Sequence, residues 1–189
     1  MQRARERDSG AFRELVEYSQ EGLFRLALEL TGDWDDAEEL SQQVFIKAYH
    51  GLSHFRGEAK IMSWLYRIMV NTYIDADRKE RTRGWRLSRI EGENPQPEPF
   101  VTEAHADNPE VQTSARHIQI HINQALQALA PQQRSVFIMR HYHDLSLKEI
   151  ARIMGLSVGT VKSQLFRAIR RLQKELHFYR AELGLEESS

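Results

Sequence analysis

The chain has 189 residues, 41% hydrophobic and 28% charged, with a formal net charge of −1; this suits one folded domain or two small ones and excludes a disordered chain. It contains no cysteine, which excludes disulfide scaffolds, thiolate metal sites and cysteine nucleophiles. No apolar run approaches the ~18 residues of a membrane span. The charged start, Met1-Gln2-Arg3-Ala4-Arg5-Glu6-Arg7-Asp8, lacks the apolar segment of a signal peptide, so a cytoplasmic protein is expected.

Almost every periodic stretch reads as helix, and the expected fold class is all-α. Phe12, Leu15, Val16, Leu23, Leu26, Ala27 and Leu30 form a first stripe, and Thr31-Gly32 stops it because glycine tolerates the left-handed position after a helix. Asp33 suits the N-cap of the next helix, with Asp35 and Asp36 at its positive pole and Leu40, Val44, Phe45, Ala48 and Leu52 on its apolar side. A polar loop, Ser53 to Glu58, precedes a third helix with the cleanest period: Ile61, Trp64, Leu65, Ile68, Met69 and Thr72. This helix runs on into Asp77-Arg78-Lys79-Glu80-Arg81-Thr82-Arg83. Residues 92–109 then carry four of the five prolines, which favours an extended interdomain linker.

Helix resumes around residue 113 with Ile118, Ile122, Ala125, Leu126 and Leu129. Pro131 fits the first position of another helix, which carries Val136, Phe137, Met139, Arg140 and Tyr142. Ser146 followed by Glu149 is a capping box, and Leu147, Ile150, Ala151 and Met154 make the inner face of the short helix it opens. Gly155 ends that helix, Leu156 fills the corner and Ser157 caps the next one, whose apolar stripe is Val161, Leu165, Ala168, Ile169, Leu172 and Leu176. The expected organisation is a domain over 1–90, a Pro-rich acidic linker over 91–112, a second domain over 113–180 and an acidic tail over 181–189.

The net charge of −1 argues against a nucleic-acid binder only while it is averaged. Residues 1–55 hold 6 basic and 11 acidic residues, 56–90 hold 9 and 4, 91–130 hold 1 and 6, and 131–181 hold 10 and 3. Each block sets its own field within a Debye length of ~8–10 Å. A solvated helix face explains either basic block taken alone.

The order cap, short helix, glycine turn, capped second helix is the helix-turn-helix pattern. Its second helix must dock by an apolar stripe and present a polar or basic face to the major groove. That face here is Thr160, Lys162, Ser163, Gln164, Phe166, Arg167 and Arg170; Arg and Gln suit base edges, while Lys, Ser and Thr suit phosphates. From these residues alone, a stand-alone helix-turn-helix repressor with an N-terminal dimerisation or ligand domain stays open beside a polymerase-dependent factor. A nucleic-acid enzyme is disfavoured, because no acid cluster with metal spacing, phosphate loop or nucleophile arrangement is visible. No catalytic residue, metal or cofactor is expected.

Pro131-Gln132-Gln133-Arg134, Leu145 to Ala151 and Val158 to Ser163 resemble the C-terminal domain of extracytoplasmic-function bacterial RNA polymerase sigma factors. Asp36 to Tyr49, Phe55-Arg56-Gly57-Glu58-Ala59 and Ser63 to Asn71 resemble that family's N-terminal domain. The resemblance covers nearly the whole chain apart from linker and tail. It departs from the family at Gln164, where a basic residue is commoner, and at Met62.

The resemblance implies minus-thirty-five duplex recognition by Thr160, Lys162, Ser163, Gln164, Phe166, Arg167 and Arg170. It implies capture of the melted minus-ten strand by Phe55, Arg56, Gly57, Glu58, Ala59 and Asn71, with Arg78 and Lys79, followed by Arg81, Arg83 and Arg86, along the phosphates. It implies docking of the acidic helix on core RNA polymerase through Asp36, Glu39 and Gln43. The implied partners are the β′ and β subunits, promoter DNA and a membrane-anchored anti-sigma factor, with no small-molecule substrate.

His117 and His121 share one helix face, but no third ligand is near in sequence and no metal site is expected. His141 and His143 are expected to complement a helix end. Trp64 belongs to the core stripe, Trp34 suits a staple or partner contact, and Trp85 lies among arginines where it can stack on a base.

Overall fold

The structure is a computed structural model that describes residues 9–55, 57, 60–83 and 109–182. Arg56, Glu58, Ala59, Trp85 and Arg86, with most of the expected linker and the tail, lie outside the described residues, as do the side chains of Arg81, Arg83 and His117.

The described residues form eight α-helices and no strand. Helix α1 (Ser9–Thr31) and α2 (Trp34–Gly51) are followed by a short 3-10 turn (Leu52–His54) and α3 (Ile61–Arg83). The second half holds α4 (Pro109–Gln127), α5 (Pro131–His141), α6 (Leu147–Met154), α7 (Val158–Glu175) and α8 (His177–Glu182). Helix α4 starts inside the stretch expected as linker. Pro109 permits this, because a proline in the first turn sacrifices no intrahelical donor.

Local signals set the helix ends. The Asp33 carboxylate accepts from the Asp36 amide at 3.0 Å and caps α2. Gly32 adopts φ +72°, a left-handed backbone that favours glycine, and the Gln127 side chain lies over it. Pro131 opens α5.

Helices α1, α2 and α3 bury Leu23, Leu26, Leu30, Val44, Leu65 and Met69 completely or nearly so. Helices α5, α6 and α7 enclose Val136, Met139, Ile150, Ala151, Ile153 and Val161, while Ala125, Leu126, Leu129, Ala168 and Leu172 join α4 to α7. The two halves exchange core residues. Ile138 of α5 is wholly buried in the N-terminal core, and Val70 of α3 is wholly buried in the C-terminal one. In α6 the buried side is Ile150, Ala151 and Ile153; Leu147 and Met154, expected on the inner face, are half-buried.

Arg134, only 4% exposed, lies where the halves meet. It donates to the carbonyls of Leu30 at 2.7 Å and Leu126 at 2.8 Å, and to the Tyr73 hydroxyl at 2.5 Å. A buried guanidinium is tolerable only when its donors are matched in this way. Nearby, His143 bonds Glu29 through Nε2 at 2.7 Å and Tyr66 through Nδ1 at 3.1 Å. His143 therefore does not serve a helix end; the turn after α5 carries it onto α1 and α3, where the half-buried Glu29 carboxylate binds it. Burial, then the Glu29 charge, raises the Tyr66 pKa, so its hydroxyl keeps its proton beside His143.

Candidate nucleic-acid interface

The helix-turn-helix is built by its caps. The Ser146 hydroxyl accepts from the Glu149 amide at 3.3 Å, and the Glu149 carboxylate accepts from the Ser146 amide at 2.9 Å. The Ser146 hydroxyl also donates to the Glu149 carboxylate at 2.7 Å, and this bond first, then the one from the Ser146 amide, holds the exposed Glu149 carboxyl below its ordinary pKa. Gly155 ends α6 in the left-handed conformation, φ +66°. The Ser157 hydroxyl accepts from the Thr160 amide at 3.0 Å and starts α7.

Helix α7 buries Val161, Ala168 and Leu172. On its other side Thr160, Lys162, Ser163, Phe166, Arg167 and Arg170 are all exposed, on one continuous face. Gln164 is half-buried at the margin and reaches Gln132 at 3.4 Å. Phe166 is 60% exposed, and the Arg170 guanidinium lies 5.4 Å from its ring centroid. This stacking holds a cation beside an apolar surface on a helix able to enter a major groove.

The second set of residues gathers along α3. Asn71 is exposed and borders a cleft of about 400 Å³ lined also by Lys47, Gly51, Trp64, Ile68 and Thr72. Lys47 Nζ donates to Thr72 Oγ1 at 2.9 Å, which fixes a cation at the cleft wall. The sequence reading missed Lys47, though a single lysine in an acidic helix was a usable signal. Phe55 is turned inward: it is 9% exposed, with its ring 5.1 Å from that of Trp64, because an apolar ring after the 3-10 turn gains more from the core than from solvent. Gly57 is exposed, as are Arg78 and Lys79 on the last turns of α3; Arg78 lies 4.0 Å from Asp75.

On α2, Glu39 and Gln43 are exposed and bonded to each other at 3.0 Å, while Asp36 is half-buried. Ile46, 59% exposed, follows Gln43 by three residues on that face. An exposed isoleucine among polar residues is the signal the sequence reading passed over. Trp34 is 60% exposed and touches Phe24 edge-on at 4.7 Å. His121 bonds the Tyr179 hydroxyl and packs on Phe178, so it joins α8 to α4. Among the described residues, no group of three or more His, Cys, Asp or Glu is placed to hold a metal, and no helix is long and apolar enough to cross a membrane.

A capped helix-turn-helix with a basic outer face, packed on a second helical unit, defines a DNA-binding protein of the all-α class. Residues 15–83 match the family described as Sigma-70 region 2, and residues 121–172 match Sigma-70, region 4. The chain is 34% identical over 165 residues to the RNA polymerase sigma-E factor of Streptomyces avermitilis, covering 87% of this chain and 84% of the relative. It is 33% identical over 171 residues to the ECF RNA polymerase sigma-E factor of Escherichia coli, covering 89% and 87%. The sigma factor RpoE of Bartonella quintana, solved with the anti-sigma factor NepR, superposes with a TM-score of 0.68 at 25% identity, covering 88% of this chain and 97% of that one. The chain belongs to the extracytoplasmic-function RNA polymerase sigma factors. It is a transcription initiation factor and not an enzyme.

Proposed function

We propose that this chain docks on core RNA polymerase, reads the minus-thirty-five element as duplex and holds the melted minus-ten strand, directing transcription of a dedicated promoter set. The observation that carries the proposal is the presence, in one chain, of two surfaces suited to two forms of DNA. The exposed face of α7 offers Arg167 and Arg170 to base edges or phosphates, with Lys162, Ser163 and Thr160 beside them and Gln164 at the margin. The Phe166 ring suits a thymine methyl.

The cleft beside Asn71 suits a single unstacked base: Trp64 supplies an aromatic wall, Asn71 a paired donor and acceptor, and Lys47 a cation. Arg78 and Lys79 extend that surface along the backbone, and Phe55, Arg56, Gly57, Glu58 and Ala59 are assigned to the same melted strand by the family resemblance. Phe55 acts from the core, by packing on Trp64. The β′ contact falls on Asp36, Glu39 and Gln43 of α2, with Ile46 as its apolar centre; an exposed apolar side chain ringed by polar groups is how protein interfaces are built.

In this reading residues 1–90 bind core polymerase and the minus-ten element, 91–112 link, 113–180 bind the minus-thirty-five element, and 181–189 form an acidic tail. The protein works in the cytoplasm and is held inactive by an anti-sigma factor anchored in the membrane. Run-off transcription with purified core enzyme over a genomic promoter library tests the function, and promoter-specific products are expected. Polymerase-independent, tight binding to palindromic duplex with no such products would instead mark a repressor.

A further inference from the structure

One side chain on the rim of the reading face is held from outside its own helix. Gln164 follows the buried Val161 of α7 by three residues and precedes the buried Ala168 by four. At that helical phase its surface neighbours are Thr160, four residues before, and Arg167, three after, and both are exposed. Gln164 itself is half-buried, between the docking stripe and the reading face. Its Nε2 donates to Oε1 of Gln132, 32 positions earlier in the chain and 3.4 Å away.

The backbone under Gln132 is fixed. It lies in the first turn of α5, between Pro131 and Arg134, which are buried. The Arg134 guanidinium binds the carbonyls of Leu126 and Leu129 and so pins this turn to the end of α4. Further along α5, Val136 shares a buried cluster with Val161 of α7. Gln132 is therefore set at a constant position beside the recognition helix, while its own side chain is exposed.

A carboxamide carries one acceptor oxygen and two N–H donors. Gln132 takes one donor from Gln164 and leaves the other donor with the oxygen. A donor beside an acceptor matches adenine, whose major-groove edge presents the N6 amino group beside the N7 acceptor. Guanine presents two acceptors there, cytosine a donor and thymine an acceptor with a methyl, so none of them uses both free groups. A glutamine without a partner can turn its amide over and present two N–H groups instead; the bond to Gln132 removes that choice. It also orders a rotamer-rich side chain before DNA arrives, so less freedom is lost on binding.

We infer that Gln132 is a positioning residue for base reading, and that the Gln164 carboxamide it orients reads an adenine at one position of the minus-thirty-five element. The inference rests on the promoter reading proposed above; the bond between the two glutamines stands without it.

Holoenzyme binding to promoters carrying each of the four bases at every minus-thirty-five position tests it. Wild type is expected to prefer adenine at one position by about fivefold or more, the low end of a bidentate base contact. Gln164→Ala should abolish that preference. Gln132→Met keeps the length, loses the acceptor and opens no void in the core. It should cut the preference by about two- to tenfold, the worth of one hydrogen bond, with the salt-dependence slope unchanged. Gln132→Glu keeps an acceptor and should keep the preference, although its charge weakens binding on every sequence. Added to Gln164→Ala, Gln132→Met should change nothing further, because the pair acts as one unit.

Equal weakening on all promoters by Gln132→Met makes Gln132 a structural or phosphate-contacting residue and overturns the inference. So does an unchanged base profile, a guanine preference that Gln164→Ala removes, or an effect of Gln132→Met that persists without Gln164. If wild-type holoenzyme prefers no base at any minus-thirty-five position, the promoter reading fails, and adenine reading with it. The Gln164 side-chain amide signals, followed by NMR in the free full chain, then decide the positioning. Signals displaced from the ordinary glutamine position and returned to it by Gln132→Met support the bond, and signals that this substitution leaves untouched reject it.

Discussion

The guanidinium of Arg134 donates through Nη1 to the main-chain carbonyl of Leu30, 104 positions earlier in the chain and 2.7 Å away. Leu30 lies in the last turn of α1, where carbonyls lack intrahelical partners and the helix carries partial negative charge. One side chain therefore caps a helix of the other half while it also holds the carbonyls at the end of its own hairpin, Leu126 and Gln127 among them. Arg134→Ala leaves these acceptors buried and unmatched, and should cost about 3–5 kcal/mol. Arg134→Lys keeps the charge but loses the planar fork, and should recover less than half of that. Urea unfolding checks both; a loss under about 1 kcal/mol for the alanine variant would mean that water replaces the guanidinium.

Arg134 also marks where the sequence stopped being informative. It lies in a basic block and counts there as one more surface cation, yet it is among the most buried polar residues described. The caps at Asp33, Ser146 and Ser157, the stop at Gly155 and the start at Pro131 were legible because each depends on atoms within three or four residues. The apolar stripes were legible for the same reason. What a stripe docks against is not a local property. Val70 and Ile138 fall outside the stripes read from the sequence, and nothing near them says that they cross between halves. His143 is misjudged in the same way, since its partner Glu29 is 114 residues away. On the reading surfaces, the exposed face of α7 followed from helical period alone. The inward turn of Phe55 did not, because it depends on where the loop meets Trp64.

The cleft at Asn71 separates two kinds of contribution. Asn71 is exposed on α3, so Asn71→Ala removes a donor and acceptor from the cleft without opening a void in the core. Promoter opening should fall while core binding stays unchanged, read by permanganate footprinting beside a core-binding assay. Lys47→Ala removes the ammonium held by Thr72 at 2.9 Å, and should weaken single-strand capture most at low salt. Equal loss of core binding in the Asn71 variant would reveal a structural role in α3.

Arg167 and Lys162 occupy the same exposed face of α7, yet their effects should differ in kind. Arg167→Ala should cost about 1–3 kcal/mol on the preferred minus-thirty-five sequence and relax preference at one position, if the guanidinium pairs with a base edge. Lys162→Ala should weaken binding about equally on all sequences and lower the salt-dependence slope by about one phosphate. Binding of holoenzyme to single-substituted promoters across a salt series distinguishes them. An unchanged sequence profile for the arginine variant would move base reading elsewhere on the helix.

The capping box of α6 makes stability depend on pH with a definite sign. The bonds from Ser146 hold the Glu149 carboxyl below its ordinary pKa in the folded chain, while the unfolded chain keeps the ordinary value of 4.5. A depressed folded pKa means that the charged form is favoured by folding. Its stabilising effect is therefore complete above about pH 4.5 and is lost as pH falls through the lower folded value. Ser146→Ala removes the hydroxyl and the larger cause of the shift, so the variant should be less stable than wild type at neutral pH and approach it under acid conditions. Ser157→Ala, which removes the cap of α7 but touches no carboxylate, should cost about 1 kcal/mol without that pH dependence. Thermal unfolding of the three proteins from pH 7 down to pH 3 checks this. Parallel curves for wild type and Ser146→Ala across the range would show that the cap works through its hydroxyl alone and that the Glu149 charge adds nothing.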